Sequence, residues 1–126
     1  MIPRRWWPPV AWLGAILTAT SLPKTAIPDV GFPFADKAVH FIMYGGLGLL
    51  FARAMHNPPR TTRGRVVLAS FLLVVAIGAL DEWHQHFIQG RSTEFADWVA
   101  DSAGGLLGAF LWVVASRVRA IRTADA

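Results

Sequence analysis

An uncharged run from Val66 to Leu80 leads directly into Asp81-Glu82-Trp83-His84-Gln85-His86-Phe87-Ile88-Gln89-Gly90-Arg91. This junction constrains the chain more than any other feature. An apolar run of that kind must be covered by protein or lipid. Ionisable groups at membrane depth are costly enough to count as functional candidates by default. Composition decides in favour of lipid: 54% of the 126 residues are hydrophobic and 16% are charged, whereas soluble domains carry about a quarter charged residues. Apolar blocks recur along the whole length, which predicts one small integral membrane domain, with no repeat and no low-complexity segment. Cysteine is absent, so disulfide and thiolate chemistry are excluded. The formal charge of +4 does not point to nucleic acid, because the basic residues lie between apolar runs and not along one solvated face.

The chain divides into four predicted membrane helices, at about 6–22, 36–55, 66–88 and 94–117, giving an all-α four-helix bundle. Arg4 and Arg5 followed by Trp6 and Trp7 read as an interfacial anchor, and Pro8 and Pro9 are tolerated at a helix start. The short apolar run that follows also fits a signal peptide, for which Thr18-Ala19-Thr20 is a poor cleavage site. Pro23, Pro28, Gly31 and Pro33 mark a loop. Asp36 then opens the second helix, where the helix dipole favours an acid. Asn57-Pro58-Pro59 and the arginines around it form a basic turn before the third helix. Gln89-Gly90-Arg91-Ser92 closes that helix. Ser92 or Thr93 serves as the expected N-cap of the fourth helix, and the tail from Ile121 to Ala126 is expected to fray.

This alternation sorts the charges. Arg4, Arg5, Arg53, Arg60, Arg63, Arg65, Arg117, Arg119 and Arg122 fall on one side, and Lys24, Lys37 and Arg91 on the other. The positive-inside rule then predicts that both termini and the middle loop lie in the cytoplasm. The acids Asp29, Asp36, Asp81, Glu82, Glu94, Asp97 and Asp101 gather on the outer half, and Asp125 stands apart.

At 100° per residue, Asp36, His40, Tyr44 and Gly48 share a face of the second helix, with Lys37 beside it. Asp81, His84, Gln85 and Ile88 share a face of the third, with Glu82 and His86 on its flank. Glu94, Asp97, Asp101, Gly104 and Gly108 share a face of the fourth. The last two form a GxxxG pair that admits a second backbone. Three polar stripes therefore converge at the outer end. The candidate catalytic groups are His40, His84 and Asp81: either histidine can act as a base near neutral pH, with Asp81 orienting one of them. The candidate substrate-binding groups are Asp36, Lys37, Tyr44, Glu82, Gln85, Arg91, Asp97 and Asp101, with Lys37 and Arg91 suited to a phosphate or carboxylate. The cofactor is left unassigned. His40, His84, Asp81 and Asp36 offer nitrogen and oxygen donors to a divalent metal, but there is no tight ligand motif such as HExxH.

Each residue also has a plainer role. Asp36 and Asp97 can cap helices, Arg91 can snorkel, Tyr44 can be a buried aromatic, Glu82 and His86 can pair at i,i+4, and Glu94 can be a solvated first-turn acid. As a set they exceed those roles, because Lys37 and Arg91 cannot neutralise so many acids, and buried charges must be paired or coordinate something.

Asp36-Lys37-Ala38-Val39-His40-Phe41 with Tyr44, Asp81-Glu82-Trp83-His84-Gln85, and Gly90-Arg91 with Asp97 and Asp101 resemble the VanZ-like family over about residues 30–115. The three blocks read DKxxHFxxY, DExxQ and GRxxxxxDxxAD, in that order. Asp101 stands where the family usually has Asn. The resemblance implies a multi-pass bacterial membrane protein, in a family whose founding member is associated with low-level teicoplanin resistance. Two functions follow as expectations. One is an enzyme or binder acting on an envelope lipid or lipid-linked cell-wall precursor, through a polar pocket open at the outer face. The other is a non-catalytic module whose polar network stabilises the bundle or a partner complex.

Overall fold

The computed structural model describes residues 1–26 and 31–124; Asp29 and Asp125, both used in the charge pattern, lie outside the described residues. Four α-helices run up and down through the bundle: α1 Trp7–Thr20, α2 Ala35–Met55, α3 Arg63–Gln85 and α4 Phe95–Ala124. Among the described residues there is no strand. α2, α3 and α4 are long and apolar enough to cross a membrane.

The first helix corrects the expected boundaries of 6–22. Arg4–Trp6 forms a 3-10 turn, and the α-helix proper has 14 residues. It rises about 21 Å, short of the roughly 30 Å hydrocarbon core. Pro8 and Pro9 occupy its first turn, and it ends at Thr20, with Ser21 as its C-cap two residues before Pro23. It is nonetheless tied into the bundle. The Trp12 indole donates to the Met43 carbonyl at 2.8 Å, and Trp6 packs on Phe51 with ring centroids 6.2 Å apart.

α3 begins earlier than expected, capped by the Thr62 hydroxyl on the Arg65 N–H. It also ends earlier, at Gln85 and not Ile88. The chain there tightens into successive three-residue turns, from His86 N to Trp83 O through Ile88 N to Gln85 O. Gly90 then takes φ +75, a left-handed conformation that only glycine adopts cheaply, and this turns Arg91 back toward the bundle. α4 runs past the expected end near residue 117, because the segment to Ala124 is made of helix-tolerant residues with no breaker. Its start is also corrected. Ser92 and Thr93 do not cap it; the Thr93 hydroxyl donates to the Glu82 carbonyl, while the Glu94 carbonyl accepts from the Asp97 N–H.

α2 sits against the other three helices, and its contact with α4 is the closest. A Cβ on Gly108 would overlap the Gly45 carbonyl, and one on Gly104 the Phe41 carbonyl. The expected GxxxG face is therefore a backbone-to-backbone seam. The apolar core is Ile16, Tyr44, Leu47, Phe51 and Val74, with Ala52, Val66, Ala109 and Val113 further along. Large apolar side chains such as Ile42, Leu68, Leu72, Trp83, Phe87 and Phe110 point outward, as lipid contact requires. The seam brings the N-terminal ends of α2 and α4 together beside the C-terminal ends of α1 and α3.

Candidate functional site

The polar stripes meet at that end of the bundle and divide into three groups. The first surrounds Asp81, which is 1% exposed. The Thr20 hydroxyl donates to its Oδ1 at 2.8 Å, and the Tyr44 hydroxyl donates to its Oδ2 at 2.8 Å. Gln85 Nε2 also reaches Oδ2, at 3.4 Å. Arg91 extends the group by donating from Nη1 to Gln85 Oε1, from Nε to the Leu22 carbonyl and from Nη2 to the Ala19 carbonyl, each at 3.2 Å. The last two are carbonyls at the C-terminal end of α1, where a cation complements the helix dipole. One carboxylate thus joins α1, α2 and α3, and one guanidinium locks the following loop onto α1.

The second group is built on Lys37. Its ammonium lies 2.8 Å from Glu94 Oε2 and 3.1 Å from both Asp36 Oδ2 and Asp97 Oδ1. Asp97 is buried, whereas Asp36 and Glu94 reach the surface with side chains 56% and 42% exposed. The hydrogen bond from Lys37 holds the Glu94 carboxyl below the usual glutamate range.

The third group lies between the other two. His40 Nδ1 is 2.9 Å from Asp101 Oδ1, with both side chains buried. Glu82 Oε2 accepts the Glu94 backbone N–H at 3.0 Å. Glu82 Oε1 and Asp101 Oδ2 have no hydrogen-bond partner among the described residues, though both are buried. Donor atoms from His40, Glu82 and Asp101 all lie within 4.8 Å of one another. A histidine held by a carboxylate is oriented for proton transfer, because the acid selects the tautomer and stabilises the imidazolium.

The expected residues are therefore brought together, with different partners. Asp101 holds His40; Asp81 bonds no histidine, being occupied by Thr20, Tyr44 and Gln85. Glu82, expected on the flank, is buried and belongs inside, while His86 is exposed and forms no pair with it. His84 is half-buried, outside these groups, and its Nδ1 has no hydrogen-bond partner among the described residues. The donor set His40, His84, Asp81 and Asp36 does not assemble; His40 is its one member in the central trio. Sequence reasoning missed Thr20. Its signal was a hydroxyl at the inward edge of an apolar run, one helical turn after Ile16 on the same face. Surface grooves lie elsewhere. One is at the opposite end, lined by His56, Pro58, Thr61 and Ser116, and another runs along α3 and α4 by Leu68, Phe71, Leu106 and Phe110.

No curated protein and no solved structure matches the chain. The family model described as VanZ/LLP1 matches residues 4–116, which includes α1 and every residue of the three polar groups. With three apolar helices able to cross a membrane and the family's blocks meeting at one end of the bundle, the chain is a membrane protein that belongs to the VanZ/LLP1 family.

Proposed function

We propose that this protein works in the bacterial cytoplasmic membrane, with both termini in the cytoplasm, and that the polar end of its bundle binds or modifies the head group of an envelope lipid or lipid-linked cell-wall precursor. The observation that carries this reading is the layered arrangement at that end. Lys37, Asp36 and Glu94 reach the surface, and the buried His40–Asp101 pair lies beneath them. His40 lies about 8 Å along α2 from its start, at the rise of 1.5 Å per residue, which is a depth that a head group can reach. The carboxylates around Lys37 offer acceptors to the hydroxyl or ammonium groups of a head group, and His40, oriented by Asp101, is placed to move a proton to or from it. The arginines of the termini and of the α2–α3 turn support the orientation. A link to teicoplanin susceptibility is part of the proposal, through the lipid-linked precursors on which glycopeptides act.

The test is a set of single substitutions at normal expression. His40→Gln should abolish the protein's envelope phenotype, teicoplanin susceptibility included, while the purified variant melts within a few degrees of wild type. An intact phenotype in His40→Gln overturns the reading. A reporter fused after Ala126 should be active only in the cytoplasm.

A second reading, a non-catalytic module, is favoured by one observation: Asp81 and Arg91 spend their bonding capacity on holding α1, α2 and α3 together. On that reading the Asp81 group braces the bundle, and loss of function on its mutation follows loss of fold.

A further inference from the structure

Glu82 and Asp101 are carboxylates that the hydrogen-bond network leaves half used. Glu82 is 4% exposed and Asp101 is 0% exposed, and each has one oxygen bonded and one without a partner among the described residues. The nearby basic groups are engaged elsewhere, Lys37 with Asp36, Glu94 and Asp97, and Arg91 with Gln85 and two backbone carbonyls. Buried charge of this kind is neutralised by a proton or by a bound cation. His40 supplies a nitrogen donor beside the two acids, and the three donor atoms lie within 4.8 Å of one another. Ligands about 2.1 Å from one ion stand roughly 3–4 Å apart, so closing the trio on an ion shortens any donor separation by less than about 2 Å.

We propose that His40, Glu82 and Asp101 form a buried site for a divalent first-row transition cation such as Mn2+ or Zn2+. One imidazole with two carboxylates suits these ions better than Ca2+ or Mg2+, which take oxygen ligands. The two carboxylates cancel the charge of the ion. Three protein ligands leave positions open, as in a catalytic metal site. Where the head-group reading holds, a head-group oxygen would fill one of them, and His40 would then serve as a ligand and not as the proton carrier. The neighbouring trio Asp36, Glu94 and Asp97 also brings donors together, but the Lys37 ammonium already serves as its cation.

The test uses the purified full chain in detergent, stripped with a chelator and titrated with Mn2+ while free ion is followed by electron paramagnetic resonance. Wild type should bind a single Mn2+ per chain and melt at a higher temperature when loaded. Glu82→Gln should bind at least about tenfold more weakly, the low end of what even outer-shell changes cost, and should gain no thermal shift. Glu94→Gln should bind like wild type. Absence of stoichiometric binding to wild type, or unchanged binding by Glu82→Gln, overturns the site and leaves a shared proton between the carboxyls as the explanation. If Glu82→Gln does not fold, X-ray absorption of zinc-loaded wild type decides: one imidazole with oxygen ligands supports the site, and any other first shell overturns it. The head-group reading fails separately, in cells, when His40→Gln keeps the wild-type phenotype although purified wild type binds Mn2+.

Discussion

Asp81 and Glu82 are adjacent in the chain, equally buried, and opposite in character. Asp81 has both oxygens filled by donors from three helices, whereas Glu82 has one oxygen filled and one without a partner among the described residues. The same contrast extends outward from each. Around Asp81, the neutral donors Thr20 and Tyr44 join α1 and α2 to α3, Gln85 on α3 itself links Asp81 to Arg91, and Arg91 fastens the next loop to α1. Around Glu82, His40 and Asp101 are titratable groups crowded together with unspent bonding capacity. A satisfied buried network rigidifies; a partly satisfied one costs stability and is kept for another reason. The cluster at the polar end is thus a filled brace beside a group of acids and a histidine whose bonding capacity is only partly used.

The largest effect should come from breaking the brace. Asp81→Leu keeps the branched shape, with larger methyl groups, and removes the acceptor, stranding the Thr20 and Tyr44 hydroxyls and the Gln85 amide. Hydrogen bonds inside membrane bundles average about 0.6 kcal/mol with a maximum near 1.7, so loss of three partners should cost about 2 kcal/mol or more in reversible unfolding. Pairing it with Tyr44→Phe sharpens the point, since the double variant should cost less than the two single losses added together. Next comes Arg91→Lys. An ammonium cannot serve Gln85 and two carbonyls at once as the guanidinium fork does. It should cost about 1 kcal/mol and leave α1 open to proteolysis near Ser21, with residues of α2 to α4 still protected.

The smallest effect lies at the surface edge. Lys37 depresses the Glu94 carboxyl, so this pair adds stability above the ordinary glutamate value of about 4.3. That stability is lost as pH falls through the lowered value in the folded protein. Because Glu94 is well exposed, solvent screens most of the gain. Wild type and Glu94→Gln should therefore differ slightly near neutral pH and converge in acid, as read by melting temperature across a pH series.

The sequence made the fold legible where periodicity and breakers were strong. The uncharged run before Asp81 and the prolines located three long helices, and the GxxxG pair marked a face of the fourth for close backbone approach, without showing that α2 would fill it. The short first helix was harder to bound, because an apolar run shorter than a bilayer carries no internal marker of where helix gives way to turn. The polar end was legible as a set of residues, since acids and histidines recur on one face of each helix. Its pairing was not. A helical wheel gives direction around one axis and says nothing of which neighbour lies opposite or how far one helix has slid along another. The wheel therefore offers a histidine to Asp81 although Thr20 and Tyr44 hold it, and sets Glu82 on a flank although the loop through Thr93 and Glu94 folds over it.

The claim that the two neighbouring acids do different work is tested most directly by one number, the difference in melting temperature between Glu82→Gln and wild type, both stripped of metal. Gln keeps an oxygen for the Glu94 N–H and removes a buried charge whose second oxygen has no partner among the described residues. The account predicts that Glu82→Gln melts at the same temperature as wild type or higher. A fall as large as that of Asp81→Leu would contradict it and make both acids parts of one structural network.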